Sequence, residues 1–392
     1  IGHCAENVQP NMIVVASTAI RETNPEKIRA KELGLEIYHR SDILRMISEG
    51  LGRDNKQKFL GFSGTHGKTT TSGLCSYVLE KSGLQPSYCV GGIIPDLNTN
   101  SKSSKGDFFV AELDESDGTI VKYSPYISVI NNLEVDHVDF YKNGFQGLLD
   151  TFKTHLAHVE KSGKVIVNND CNGIKKLMEQ NPEHKFVTFG LNNANYTATD
   201  IEFHEFGSEF SLQKLGQAIG KIKLTIPGKH NVYNALAVCA ALLESGVDFS
   251  LIQPHFEHFS GMGRRFQLVS EFDGVKVIDD YAHHPSEIKT TLESARNATN
   301  GRLIAVFQPH RYSRLKGLWN DFLTCFDAVD ELYVVDVYAA SEDALKDINS
   351  EKFVLALNNS KAKYISGSIE EAAAKIAPVL KNGDFVITLG AG

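Results

Sequence analysis

The run Lys58-Phe59-Leu60-Gly61-Phe62 is apolar and of strand length, Ser63-Gly64-Thr65-His66-Gly67-Lys68-Thr69-Thr70-Thr71 follows as a glycine-rich loop, and Leu74, Tyr77, Val78 and Leu79 then recur at helical spacing. Strand, tight loop and helix in that order restrict the segment to the parallel-sheet architectures, where a helix carries the chain back over the sheet. Such a loop aims backbone N–H groups and a helix N-terminus at phosphate oxygens. Lys68 adds a cation for the outer phosphates, and the Thr69 hydroxyl is a ligand suited to Mg²⁺. Counted from Gly64 the spacing is one residue tighter than the common form, and Gly61 restores the longer count. A bare Gly-x-x-Gly-Lys-Thr string also occurs as an ordinary turn; the strand before it and the helix after it favour nucleotide binding. Gly64, Thr65, His66, Gly67, Lys68, Thr69 and Thr70 are the candidate nucleotide contacts.

The same rhythm runs through most of the 392 residues. Strand-length apolar runs alternate with amphipathic stretches, as in Met12 to Val15, Pro25 to Leu33 and Leu35 to Tyr38. It breaks at Glu49 to Lys58 and again at Phe259-Ser260-Gly261-Met262-Gly263. New strands are expected at Val275 to Ile278, Leu303 to Phe307, Leu332 to Val337 and Phe385 to Leu389. The fold class is therefore α/β in three consecutive domains, 1–54, 55–262 and 263–392, with no internal repeat.

Composition narrows the partners. A formal charge of -8 gives no general basic surface, which argues against nucleic acid and leaves any anion site local. Six cysteines, scattered without a CxxC pair, argue against a zinc site or a disulfide framework and fit a reducing cytoplasm. No apolar run approaches the roughly 20 residues that span a bilayer, so no membrane partner is expected. The chain opens on Ile1 and closes on Ile387-Thr388-Leu389-Gly390-Ala391-Gly392, and we expect some N-terminal residues to be missing.

A second constellation lies downstream. The apolar run from Phe108 delivers Glu112, Asp114, Glu115 and Asp117 to its end, and Ile127-Ser128-Val129-Ile130 delivers Asn131-Asn132-Leu133-Glu134-Val135-Asp136-His137. Residues at the carboxyl ends of parallel strands meet at the ligand edge of the sheet. A carboxylate oxygen from Glu112 and an imidazole from His137 are suited to hold a second Mg²⁺, although singly each reads as a solvated loop residue.

These strings, followed by Pro227-Gly228-Lys229-His230-Asn231-Val232-Tyr233-Asn234-Ala235, resemble the Mur ligase family. Gly263-Arg264-Arg265-Phe266-Gln267, Asp279-Asp280-Tyr281-Ala282-His283-His284-Pro285 and Gln308-Pro309-His310-Arg311-Tyr312-Ser313-Arg314 extend the resemblance, as do Gly2 to Val8 and Ala16 to Ile20 at the start. Leu113 stands where the family usually has Ala, and Thr18 where it usually has Ser.

The resemblance implies a truncated Rossmann-like UDP-binding domain, a P-loop ATPase-like central domain and a Rossmann-like C-terminal domain. It implies ATP and Mg²⁺ as cofactors. The reaction it implies joins L-alanine to the lactyl carboxylate of UDP-N-acetylmuramate through an acyl phosphate, in peptidoglycan synthesis. Lys68, Glu112, His137, Arg264 and His283 are the catalytic candidates it carries over, with Thr69, Glu112 and His137 toward metal. His230, Asn231, Asn234, Arg265 and Asp280 join the loop as ATP contacts. His3, Ser17, Thr18, Tyr281, His283, His310, Arg311 and Arg314 are the substrate contacts. Arg311 and Arg314 lie three apart, so one helical turn would put both guanidiniums on one face, suited to an amino acid's carboxylate. Four alternatives stay open: a ligase that attaches a recycled tripeptide to the same UDP-sugar, a folylpolyglutamate synthase, a P-loop NTPase that ligates nothing, and a truncated, catalytically inactive binding protein.

Overall fold

The computed structural model of the chain describes residues 2–134, 140–204, 206–340 and 342–392. Among them the strands form three sheets, and helices pack on the faces of the two larger ones, giving the three-part α/β architecture expected.

The first sheet is small. Val14–Ala16 pairs in parallel with Ile37–His39, and the helix Pro25–Glu32 connects them. That helix starts where local chemistry dictates: the Asn24 side chain accepts the N–H groups of Glu26 and Lys27, and Pro25 needs no acceptor at the first turn. The strand begins later than the expected 12–15 because Asn11 takes a left-handed φ of 68° and pairing with Ile37 starts only at Val14.

The second sheet has ten strands in the order Gln217–Leu224, Gly207–Lys214, Tyr196–His204, Phe186–Gly190, Lys164–Asn168, Ile127–Ile130, Lys58–Ser63, Phe108–Glu112, Ser87–Ile94 and Thr99–Lys102. Tyr196–His204 through Ser87–Ile94 run parallel, and the strands at both margins are antiparallel. One face buries the helices Lys68–Lys81 and Lys229–Glu244; the other buries Gly144–His158 and Asn172–Gln180. Covering both faces requires apolar strands without alternation, and Ile127–Ile130 is buried at all its positions. Packing is tight where the helix Lys68–Lys81 meets the second junction: a Cβ on Gly73 would lie 2.1 Å from Met262 Sδ.

The third sheet has the order Gln267–Phe272, Val275–Asp280, Phe385–Leu389, Leu303–Phe307, Glu331–Val334 and Ala362–Tyr364, parallel except for its first pair. Leu303–Phe307 and Phe385–Leu389 fall where the apolar runs place them, whereas the run from Leu332 leaves the sheet after Val334.

The topology places the site. Lys58–Ser63 has Phe108–Glu112 on one side and Ile127–Ile130 on the other, so connections diverge at its carboxyl end and open a crevice there.

Candidate active site

The loop after Lys58–Ser63 lies against the end of the neighbouring strand. Thr65 N–H donates to the Asn132 carbonyl at 3.1 Å and His66 N–H to Asn132 Oδ1 at 2.7 Å. Gly64 has φ 120°, and a Cβ there would stand 2.8 Å from the Asn132 carbonyl oxygen. Gly67, at φ 80°, opens the helix Lys68–Lys81, and its vacant side-chain position faces Asn234 Oδ1 at 2.9 Å.

Lys68 sits in the loop's concavity. Its ammonium donates to the carbonyls of Gly64 (2.7 Å) and Thr65 (3.2 Å) and to Glu115 Oε1 (2.9 Å), which occupies its three N–H groups. Burial opposes this charge, but the Glu115, Glu112 and Asp114 carboxylates outweigh it, and the lysine's pKa rises. Glu115 is itself buried, with its second oxygen unpartnered. Next in the chain, Thr69 Oγ1 donates to Glu112 Oε2 at 2.8 Å, and the same oxygen accepts Gly91 N–H at 3.1 Å.

Behind the loop, a buried amide network ties the helix Lys229–Glu244 to Lys68–Lys81. Asn234 accepts from Thr71 and donates to Asn231, and Asn231 donates to the Pro227 carbonyl. Beside it opens a cavity of about 240 Å³, lined by Thr70, His230, Asn231 and Asn234 from the second sheet's side and by Arg265, Asp280 and Glu287 from the third's. Burial, with Arg265 nearby, pushes the His230 pKa down to about 4, and its Nδ1 has no partner. Asp280 accepts the N–H groups of Phe266 and Ala282, while burial raises its pKa to about 6.

A second cleft adjoins the first and is lined by Lys68, Thr69, Glu112, Arg265, His283 and Glu287 among others. It is Arg265, rather than Arg264, that lines both spaces. Arg264 binds within the third sheet's unit, to Asp279 Oδ2 at 3.0 Å and the Gly390 carbonyl at 2.9 Å, with φ 59°. Both guanidiniums lie over the Tyr281 ring. Tyr281, His283, His310 and Tyr338 form a chain of ring contacts with centroids 5.3 to 5.7 Å apart. Burial lowers the pKa of both histidines, His310 to about 4, so neither is charged at neutral pH.

The expected pairing of Arg311 with Arg314 on one helical face does not form. Arg311 caps the helix Tyr312–Gly317 at φ 71°, outside helical geometry, and turns to Glu342 Oε1 at 2.7 Å. Arg314 NH1 instead lies 2.8 Å from His310 Nδ1.

Of the first-domain candidates, His3 is exposed and pairs with Glu26 at 2.5 Å. Ser17 and Thr18 follow Val14–Ala16, and Thr18 Oγ1 reaches Asp117 Oδ2 at 3.4 Å. Arg40 holds Asp114 at 2.8 Å and Lys122 holds Asp42 at 2.7 Å, so Asp114, one of the acids read in the sequence, also helps join two domains. His137 lies outside the described residues, and among the described residues no group of three or more His, Cys, Asp and Glu gathers as a metal site. Thr69 and Glu112 nevertheless present adjacent oxygen atoms beside the phosphate loop, a donor type suited to Mg²⁺.

Residues 62–242 match the Mur ligase middle domain, residues 264–392 the Mur ligase glutamate ligase domain and residues 1–50 the Mur ligase family catalytic domain. The UDP-N-acetylmuramate–L-alanine ligase of Trichlorobacter lovleyi is 38% identical over 397 residues, covering 100% of this chain and 85% of that one. The chain belongs to the Mur ligase family. The Dictyoglomus turgidum protein of the same name is also 38% identical, over 100% of this Mur ligase and 83% of its own length. Among solved structures, the UDP-N-acetylmuramate-alanine ligase of Thermotoga maritima superimposes with a TM-score of 0.85 at 27% identity, covering 100% of this chain and 84% of that one. A murein peptide ligase of Psychrobacter arcticus shares the fold, with a TM-score of 0.60 at 19% identity over 97% and 91% of the two chains.

Sequence reading of this Mur ligase missed Glu287. Glu287 stands three residues after His284, the spacing of a helix-capping box, and that spacing was the available signal. Asn132 was read only as a polar residue at the sheet edge, because its part in holding the loop depends on the loop folding against it.

Proposed function

We propose that this chain joins L-alanine to the lactyl carboxylate of UDP-N-acetylmuramate, driven by ATP, as a cytoplasmic step of peptidoglycan synthesis. The observation that carries the reading is that relatives bearing this activity in their names align over the whole chain, through both the phosphate loop and the His283 cleft.

A carboxylate oxygen is a poor leaving group, so the reaction first converts the carboxylate to a mixed anhydride with phosphate. The lactyl carboxylate attacks the γ-phosphorus, the bond to the β-phosphate oxygen breaks, and ADP leaves behind an acyl phosphate. Positioning and charge neutralisation dominate such a transfer. Lys68 exchanges its contacts to the Gly64 and Thr65 carbonyls and Glu115 for phosphate oxygens, and Arg265 adds a guanidinium from the far wall. The Thr69 hydroxyl and Glu112, with His137, would hold a Mg²⁺, which would supply additional neutralisation of the phosphate charge. The nucleoside half lies in the cavity of His230, Asn231, Asn234 and Asp280.

The amine of L-alanine then attacks the acyl carbon, the carbon–oxygen bond to phosphate breaks, and the amide forms as the nitrogen sheds its proton. His283 is suited to accept that proton. It is neutral, and with Nδ1 2.9 Å from the Tyr281 carbonyl as donor, Nε2 carries the free lone pair. Tyr281, His310 and Arg314 lie on the amino acid's side, where Arg311 joins them on leaving Glu342; His3, Ser17 and Thr18 lie on the UDP-sugar's side.

Phosphate release decides among acceptors. With ATP, Mg²⁺ and UDP-N-acetylmuramate, L-alanine should support turnover well above glycine or the recycled tripeptide. Preference for the tripeptide would replace this reading with the recycling activity, and turnover needing neither UDP-sugar nor acceptor would replace it with a plain NTPase.

A further inference from the structure

Glu287 is the third residue of the helix Pro285–Asn297, and its Oε2 accepts the N–H groups of His283 (3.2 Å) and His284 (3.3 Å), closing a capping box. Capping alone does not require burial. In the helix Ile369–Ile376, Glu371 does the same for Ser368 and is exposed. Glu287 is half-buried between two domains, with 15% of its side chain exposed, and its other oxygen faces the phosphate loop: Oε1 lies 3.3 Å from His66 Nδ1 and 3.9 Å from Arg265 NH1.

His66 is fastened on its remaining sides. Its Nε2 lies 3.1 Å from Ser286 Oγ and 3.4 Å from Glu134 Oε2, and its backbone N–H is held by Asn132. It stands two residues before Lys68. One carboxylate therefore fixes the relative places of the loop that carries Lys68, the arginine that lines both spaces, and the segment that carries His283. Burial opposes the charge on Glu287, but the hydrogen bond from His66 and the charge of Arg265 help hold its pKa well below the usual carboxylate range.

We propose that Glu287 is a positioning residue for the reaction, which aligns the phosphate loop with the amino-acid side of the cleft through His66. The inference rests on the proposed ligase reading and adds a role for a residue to which that reading gives none, although its carboxylate lines both spaces. A step that needs two bound groups in register loses rate when their frames separate, while the binding of either group to its own frame changes less.

Glu287→Gln tests this, because glutamine still caps the helix but no longer pairs with His66 and Arg265. The expected result is a kcat lower by about tenfold or more, with KM for UDP-N-acetylmuramate within about threefold; the lost ion pair lowers the melting temperature, so kcat is read well below it. His66→Asn should lower kcat similarly, and the double variant should be no slower than the worse single one, because both remove one tie. Wild-type kcat in Glu287→Gln, or losses that multiply in the double variant, would overturn the proposal. Small-angle X-ray scattering of the unliganded proteins gives a second readout independent of ligation: Glu287→Gln should show a larger radius of gyration than the wild type, and an unchanged radius counts against the tie. If the wild type releases no phosphate with any acceptor, the ligase reading fails and scattering alone decides the role of Glu287.

Discussion

Gly91 lies in the strand Ser87–Ile94, and its N–H donates to the same Glu112 oxygen that Thr69 holds. A Cβ there would stand 2.4 Å from Glu112 Oε2 and 3.1 Å from Thr69 Oγ1. Ordinary contact begins near 3.4 Å, so in Gly91→Ala the carboxylate has to retreat by about 1 Å. At that displacement both hydrogen bonds lengthen past useful range. Each is a bond to a charged acceptor, worth roughly 1.5–3 kcal/mol, although the retreating carboxylate recovers part of this from water. A net loss of about 3 kcal/mol in the phosphoryl-transfer step corresponds to a rate lower by roughly 100-fold. The assay is phosphate release as Mg²⁺ is titrated at fixed ATP. Gly91→Ala should need more Mg²⁺ for half-maximal rate and show a lower plateau. Gly92→Ala is the control, since its Cβ meets only Thr69 Cγ2 at 3.2 Å and Met262 Cε at 3.6 Å, and it should stay within about threefold of wild type. Full activity of Gly91→Ala at limiting Mg²⁺, with an unchanged melting temperature, would refute the assignment of Glu112 to the metal and the reasoning from its two bonds.

Glu115→Gln removes the buried charge that holds Lys68 away from phosphate and repels a nucleotide, so ATP should bind roughly threefold to tenfold tighter in a fluorescence titration; weaker binding would show instead that Glu115 orders the lysine for phosphate. Burial works against the charge on His66, but Glu134 and Glu287 outweigh it and lift its pKa from 6.5 to about 9. The resulting stabilisation, on the order of 3 kcal/mol, is fully present below pH 6.5 and lost as pH rises through about 9. The denaturation midpoint should therefore fall between pH 7 and 10 in the wild type and not in His66→Asn, a contrast whose absence would sink the ion pair. Gly73→Ala drives a Cβ into Met262 and should destabilise by about 1–3 kcal/mol in urea, with partial recovery in Gly73→Ala/Met262→Ala; an unshifted midpoint would mean that the junction repacks freely.

How far the sequence could be read depended on the range of each interaction. Ile127–Ile130, Leu303–Phe307 and Phe385–Leu389 were legible because a doubly covered parallel strand is a bare apolar run between polar ends. The phosphate loop was legible for the same local reason: Gly64 and Gly67 occupy left-handed backbone positions that side chains avoid. The pairing of Arg311 with Arg314 misled because i,i+3 spacing has meaning only inside a helix, and Glu342, distant in the chain, draws Arg311 away. Arg264 and Arg265 were indistinguishable as neighbours in one string. They part because Asp279 and the Gly390 carbonyl bind Arg264, which leaves Arg265 at the cleft.

The sequence by itself determined the alternation of strand and helix, the phosphate loop and the acids at its sheet edge, because glycine conformation, apolar periodicity and topology act within a few tens of residues. Tertiary structure decided which of those groups are free to act. It placed Lys68 on Glu115, joined Thr69 to Glu112, and brought His66 to Glu287 across 221 positions of chain. Hydrogen bonds and ion pairs work over a few ångströms of space whatever the separation along the chain, so their partners are set only when the sheets and helices have packed.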